Sequence, residues 1–268
     1  MAGTIRVAVA GAAGRMGRAA VRAVAAQEDM TLVAALGRSR AIGRDAGEVA
    51  GAGPLGVVIT ADLAQVLGRR PDVLVDFSPG PAAAEHARAA LPAGVSPVIG
   101  GTGMAPADLQ ALADLAASHR TGAVVAPNFA VGAVLMIEFA RRAARFFPHV
   151  EIIEMHHDRK RDAPSGTALR TAAAVAAARE TAPPPAVAEE EMVAGARGGR
   201  AEGIPVHSVR LPGLVAHQAV IFGGPGQTLT IRHDSISEES FMPGLLLAVR
   251  RVRSLQGLVH GLENLLDL

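Results

Sequence analysis

The chain has no cysteine, no tryptophan and no tyrosine, and its only aromatics are seven scattered phenylalanines. Without cysteine there is no disulfide, no thiolate nucleophile and no thiolate-held zinc, a composition at home in a reducing compartment. So few rings offer no stacking platform for nucleic-acid bases, and 26 basic against 25 acidic residues leave a net charge of only +1, so no nucleic-acid partner is expected. No apolar run approaches the roughly 20 residues of a bilayer span. The opening MAGTIRVAVAG already alternates like a strand, so neither a membrane anchor nor a signal segment is expected. These exclusions leave a cytoplasmic protein that works on small molecules.

Half of the 268 residues are apolar, enough to bury a sizeable core in one large domain or two modest ones. The first half predicts strands over 5–10, 31–36, 57–60, 73–77, 95–99 and 122–126, with helices over 15–26, 81–91 and 106–118. Strands alternating with helices of this length mean βαβ units, hence an α/β, doubly wound, Rossmann-like parallel sheet. After residue 150 the texture changes. VEIIEMH reads as a strand, PSGTALRTAAAVAAARE as a helix and ETAPPPAVAEEE, with its Pro183–Pro185 run, as a surface loop. Strands over 206–211, 217–224 and 227–235 follow, separated by Pro and Gly turns, which predicts a second α+β domain on a mixed sheet. The end, 238–268, returns to helical periodicity and is expected to pack back on the first domain. The division is therefore 1–127 with 238–268 for the first domain and 128–237 for the second.

Gly11-Ala12-Ala13-Gly14-Arg15-Met16-Gly17 follows an apolar strand and opens a helix, the context a dinucleotide fingerprint requires. Glycines there let the backbone turn tightly toward a pyrophosphate, and the helix N-terminus stabilises the anion. An acid usually ends the second strand and binds the ribose hydroxyls. Here Gly37 stands in its place, with Arg38 and Arg40 after it. Two readings stay open: a pocket tolerant of the 2′-phosphate of NADPH, or ordinary surface arginines. Two further turns, Gly100-Gly101-Thr102-Gly103-Met104 and Ala126-Pro127-Asn128-Phe129-Ala130-Val131-Gly132, lie at predicted C-terminal strand ends, the edge where doubly wound sheets bind ligands.

The stretch Glu154 to Leu169, EMHHDRKRDAPSGTAL, concentrates polar chemistry in an alanine-rich chain. Adjacent strand residues point to opposite faces, so His156 and His157 do not share a metal, and no metal site is expected. Histidine suits proton transfer near neutrality, Lys160 adds a cation, and Ser165-Gly166-Thr167 offers hydroxyls and N–H groups at a helix start. Together they describe a site for an anionic, carboxylated substrate. Asp162, ahead of Pro164, reads as a helix N-cap.

The same stretch resembles the E-x-H-H-x-x-K-x-D-A-P-S-G-T-A signature of the dihydrodipicolinate reductases, also called 4-hydroxy-tetrahydrodipicolinate reductases, of bacterial lysine and diaminopimelate synthesis. The resemblance extends to VAVAGAAGRMGR, VDFSPG, the GGTG loop, APNFAVG, LPGLVAHQAVIFGGPGQTLTIRHDS and SFMPGLLLAV. It implies hydride transfer from NADH or NADPH to a cyclic, unsaturated dicarboxylate with loss of water. It also implies that the second domain binds substrate and builds a homotetramer. Carried over residue by residue, it makes His156 the proton donor and Lys160 its supporting cation. It assigns substrate contacts to His157, Gly166 and Thr167, to which the hydroxyls of Ser165 and Thr102 are added as candidates. Cofactor contacts fall on Gly11 through Met16, on Gly100, Gly101 and Thr102, and on Ala126, Pro127, Asn128 and Phe129; the glycine pattern adds Gly17, and the NADPH reading adds Arg38. The chain departs from the family pattern at Gly101, where threonine is usual, at Ala133-Val134, where Val-Asn is common, and at Gly37 in place of the acid. Two other readings stay open on residues alone: a homoserine-dehydrogenase-like reductase of an amino-acid-derived carbonyl or imine, and a catalytically silent sensor of nucleotide and dicarboxylate.

Overall fold

A computed structural model describes residues 3–38, 41–179 and 190–266, so Arg40 and the Pro183–Pro185 loop lie outside the described residues. The chain divides into two compact units, Met1–Val131 with Glu238–Leu268, and Gly132–Ser237.

The first unit alternates β1 (Ile5–Ala10), α1 (Arg15–Ala25), β2 (Met30–Leu36), α2 (Ala46–Ala50), β3 (Ile59–Thr60), α3 (Leu63–Gly68), β4 (Val73–Asp76), α4 (Gly80–Ala90), β5 (Ser96–Ile99), α5 (Pro106–His119) and β6 (Ala123–Val125). Its sheet is parallel throughout; β4, β5 and β6 extend from one side of β1, and β2 and β3 from the other. Such a sheet is covered on both faces, so its strands are almost continuously apolar. In β1, Val7, Ala8, Val9 and Ala10 are all fully buried. Between β1 and β4 the direction of winding reverses, and beyond the C-terminal ends of strands at such a point doubly wound sheets leave a ligand crevice.

The C-terminal segment corrects the helical expectation for 238–268. After two helical stretches, the second being α8 of the chain (Met242–Val252), residues Leu258–His260 form a seventh strand parallel to β6. Three residues are too few to display a period, and only the exposed edge of β6 makes them a strand.

The second unit holds α6 (Val131–Ala143), β7 (His149–His156), α7 (Gly166–Ala178), β8 (Gly199–Ala201), β9 (Ile204–Arg210), β10 (Ala216–Gly224) and β11 (Gln227–Ser235). The sheet order is β11-β10-β7-β9-β8, with β7 and β9 parallel and the other pairs antiparallel, so it is mixed. Alternate residues Val150 and Ile152 of β7, Ile204 and Val206 of β9, and Val220 and Phe222 of β10 pack against Met136, Ala140, Ala168, Ala172 and Val175 of the helices. Glu154 and His156 continue that helix-covered row on β7, which places a carboxylate and an imidazole where a core residue would ordinarily sit. The helix α6 is absent from the sequence-predicted elements. Among the described residues no helix is long and apolar enough to cross a membrane.

Candidate active site

In the first unit a cavity of about 510 Å³ opens at the crevice, lined by Gly11, Ala13 and Gly14 after β1, Gly37 and Arg38 after β2, and Phe77, Ser78 and His86 beyond β4. Gly11 takes a left-handed backbone, φ +71, open mainly to glycine. A Cβ on Gly17 would lie 2.0 Å from the Gly11 carbonyl oxygen, so only glycine lets α1 pass this close to the turn. Gly14 is the N-cap of α1 and supplies no side-chain bond, and the first turn carries no acid. By contrast Asp45 and Asp62 cap α2 and α3 with their carboxylates. The start of α1 thus keeps free N–H groups and an unopposed dipole, which fits a pyrophosphate.

The sequence-predicted cofactor residues take different positions. Gly11, Ala13, Gly14 and Arg38 line the cavity. The Ala12 N–H donates to the Leu36 carbonyl at 3.1 Å, Met16 is half-buried, and Arg15 pairs with Glu238 at 3.2 Å on the surface. Gly100 N–H bonds the Asp76 carbonyl at 2.8 Å, and the Thr102 carbonyl accepts from Gly80 N–H at 2.9 Å, so the loop is laced to the turn after β4. That lacing accounts for Gly101: a Cβ there would lie 1.9 Å from the Ser78 carbonyl oxygen, and threonine does not fit this backbone path. Thr102 is exposed. Asn128 accepts from Ala130 N–H at 2.9 Å, Phe129 is buried, and its ring meets Phe77 edge-on at 6.2 Å. Ala126 is buried and bonds the Ile99 carbonyl, while Pro127 is exposed.

Phe77, Ser78, Asp76 and His86 are absent from the sequence-predicted site. Asp76, 1% exposed, accepts from Ser78 N–H at 2.7 Å and meets His86 Nδ1 at 2.7 Å. The signal was VDFSPG itself, an acid ending an apolar strand before a Pro-Gly turn.

In the second unit His156 closes β7, and its Nδ1 lies 2.6 Å from a Glu154 carboxylate oxygen. Glu154 is fully buried and accepts from both terminal guanidinium nitrogens of Arg210, at 2.9 and 2.7 Å. Burial alone would push the Glu154 carboxyl up, but bonds from Arg210, Ser208 and His156 outweigh it and hold the group below the usual carboxylate range. Burial draws the His156 imidazole below its ordinary pKa; Glu154 opposes this, while the charges of Lys160 and Arg210 add to it. His157 Nδ1 is buried without a hydrogen-bond partner, an orphaned polar atom that a ligand group can satisfy.

Lys160 Nζ meets both Asp162 oxygens, at 2.8 and 2.7 Å, and this corrects the reading of Asp162 as a helix cap. The N-cap of α7 is Ser165, whose Oγ accepts from Ala168 N–H at 3.2 Å. Asp162 lies a turn too early, and its carboxylate is taken by the lysine. Gly166 and Thr167 open α7 with no acid in the first turn, again a helix start suited to an anion. The second unit thus gathers His156, His157, Lys160 and the Ser165–Thr167 turn within one loop and its flanks. Arg210 was missed, although strand alternation from Ile204 and Val206 puts it on the covered face, where an arginine needs a partner.

Two family profiles match the chain end to end: "Dihydrodipicolinate reductase, N-terminus" over residues 5–129 and "Dihydrodipicolinate reductase, C-terminus" over residues 132–266. The chain is 57% identical over 268 residues to the 4-hydroxy-tetrahydrodipicolinate reductase of Moorella thermoacetica, covering 100% of both. It is 51% identical to that of Geobacillus kaustophilus, covering 98% of this chain and 100% of the relative. A solved structure, the dipicolinate-bound dihydrodipicolinate reductase of Paenisporosarcina sp. TG-14, superposes with a TM-score of 0.88 at 46% identity, covering 98% of this chain and 100% of the other. With both units matched over nearly all their residues, the chain belongs to the dihydrodipicolinate reductase family.

Proposed function

We propose that His156 is the proton donor and Lys160 the substrate-facing cation of this NAD(P)H-dependent reductase. The reaction is the reduction of 4-hydroxy-tetrahydrodipicolinate to tetrahydrodipicolinate with loss of water, in diaminopimelate and lysine synthesis. The observation that carries the assignment is the His156–Glu154 bond, set beside Lys160 and the start of α7. The glycine turn and the start of α1 would hold NAD(P)H, which would supply the hydride. Loss of the 4-hydroxyl with a neighbouring ring proton as water would leave a carbon–carbon double bond conjugated with the ring imine; hydride would add to its far carbon, and the carbon next to it would then take a proton. With Nδ1–H donated to Glu154, the proton leaves from His156 Nε2. Lys160 and the N–H groups of Gly166 and Thr167 hold the carboxylates, with His157, Ser165 and Thr102 as further contacts. Lys160 gives up Asp162 to do so. Asp162 is 62% exposed in its side chain, and an exposed pair is worth about 0–1 kcal/mol, less than a carboxylate brought into a partly closed site offers. NAD(P)H oxidation dependent on freshly made 4-hydroxy-tetrahydrodipicolinate tests the whole reading. Binding of nucleotide and dicarboxylate without turnover would instead favour the silent sensor.

Two carboxylates are read by two kinds of donor. Pyridine-2,6-dicarboxylate is therefore expected to inhibit competitively against substrate, and pyridine-2-carboxylate to bind worse by about 1.5–3 kcal/mol, the scale of a charge-assisted hydrogen bond. Equal inhibition constants for the two compounds would refute the dicarboxylate site.

For the cofactor we propose that NADPH is used at least as well as NADH. Gly37 removes the carboxylate that would repel a 2′-phosphate, and Arg38 borders the same cavity. Arg38→Ala is expected to lower kcat/KM for NADPH about tenfold more than for NADH, an advantage that shrinks as salt rises. Equal losses with both cofactors would return Arg38 to the solvated surface. Gly37→Asp is a poorer probe: its Cβ would lie 2.7 Å from Ile59 Cγ2 in the core, so packing is disturbed as well.

We further propose a cytoplasmic homotetramer. The second unit's sheet turns Ile153, Met155, Val209 and Ile221 away from its helices, half-buried, an apolar face that a second copy can cover. Light scattering that gives a monomer mass at working concentration would exclude the assembly.

A further inference from the structure

The buried carboxylate of Glu154 touches more than one imidazole. Its Oε2 is shared by His156 Nδ1 at 2.6 Å and Arg210 Nη1 at 2.9 Å. Its Oε1 accepts from Arg210 Nη2 at 2.7 Å and from the backbone N–H of Ser165 at 3.2 Å. Ser165 is the residue that caps α7. Arg210 Nη2 also donates to the Asp162 carbonyl at 2.7 Å, within the loop that carries Lys160. One enclosed ion pair therefore joins the end of β7, the end of β9, the Lys160 loop and the first turn of α7.

A buried ion pair is weak grounds for stability, because desolvation of the two charges commonly cancels their attraction and apolar replacements are often neutral or better. Val150 and Ile152 on β7, and Ile204 and Val206 on β9, show that the same face accepts aliphatic residues. What an apolar pair cannot do is accept from an imidazole and from a helix-capping amide together. Resting on the assignment of His156 as proton donor, we propose that Glu154 and Arg210 are a positioning pair. Glu154 locks the Nδ1–H tautomer of His156, leaving Nε2 as the nitrogen for substrate, and ties it to the carboxylate-binding start of α7; Arg210 holds Glu154 ionised and in place.

The two members act on the imidazole with opposite sign. Glu154 favours the protonated ring, and Arg210 disfavours it, as does Lys160 from the loop. Gln218, Ser165 and Thr171, at the neighbouring positions of β10 and α7, carry no charge. Lys160 acts with the sign of Arg210 but is unchanged in both variants, so opposite responses come from the pair.

Histidine-labelled full-length enzyme, titrated by NMR without substrate, tests the proposal. Glu154→Gln is expected to lower the proton affinity of His156 about tenfold or more, and Arg210→Met to raise it. Kinetically, Glu154→Gln shifts the pH profile of kcat/KM to the acid side and raises KM for substrate, because both the ring and the Ser165 amide lose the same charge. An unchanged His156 titration in Glu154→Gln, or shifts of the same sign in both variants, would overturn the pair. If Glu154→Gln does not fold, Arg210→Met decides by its sign. The wild-type nitrogen spectrum decides independently: neutral His156 must carry its proton on Nδ1, and an Nε2–H tautomer would refute the proposal. Absence of wild-type turnover would refute the functional reading alone, since the titration needs no substrate.

Discussion

His156→Gln is expected to lower kcat by about 10²-fold or more while leaving NAD(P)H affinity nearly unchanged. Glutamine keeps much of the side chain's size and can still bond Glu154, but has no proton to give at neutral pH. The loss should sit in kcat because the proton moves only after hydride arrives. The wild-type pH profile carries the same signature. For the proposed proton donor the acid form is the competent one, and burial draws the His156 pKa in the free enzyme below its ordinary value, Glu154 notwithstanding. In kcat/KM, activity should therefore fall as pH rises through a point on the acid side of ordinary histidine titration. The bound dicarboxylate adds negative charge and should move the corresponding limb of kcat upward. His156→Gln should abolish the limb in both. Near-normal turnover in the variant, or an unaltered limb, would remove His156 from the proton transfer.

Lys160→Ala is expected to reduce kcat/KM for substrate by about 10²-fold, through a rise in KM and a fall in kcat together. A cation facing carboxylates stabilises ground and transition states alike, so both parameters move. The Lys160–Asp162 bonds make the contrast sharper. Truncating the lysine leaves Asp162, a negative charge, at the mouth of an anion site, and Lys160→Ala/Asp162→Asn should recover part of the KM but not the kcat. Arginine at 160 keeps the charge but replaces a compact ammonium with a planar fork, and should restore binding better than turnover. An effect confined to the KM for NAD(P)H would assign Lys160 to the cofactor instead.

Local chemistry was readable without coordinates. The glycine stretch Gly11–Gly17 at the junction of β1 and α1 is seven residues long, and the stretch from His156 to Thr167 is twelve, so each candidate cluster is local in the chain. The β-branched runs of the first unit and the alternation of the second marked their longer strands to within a few residues, while the three-residue β8 (Gly199–Ala201) was missed. Most of the misses share one cause, a neighbour far away in the chain. Arg210 lies 56 positions from Glu154 and reaches it only because β9 pairs in parallel with β7, setting Arg210 beside His156. Leu258–His260 is a strand only because β6 leaves an edge open. Asp162 looked like a cap because capping residues precede prolines in sequence, but the lysine two residues before it claims its carboxylate first. Gly101 read as a lost hydroxyl, whereas the Ser78 carbonyl fills the space a side chain would need.

By itself, then, the sequence determined the class of fold and singled out the residues proposed here for proton transfer and for anion binding at two helix starts, because each group of them lies within one short stretch of chain. The tertiary structure alone decided what pairs with the Glu154 carboxylate, and so which charges surround His156. That depends on an arginine brought in from a separate strand, and electrostatic coupling follows distance through space, not position along the chain.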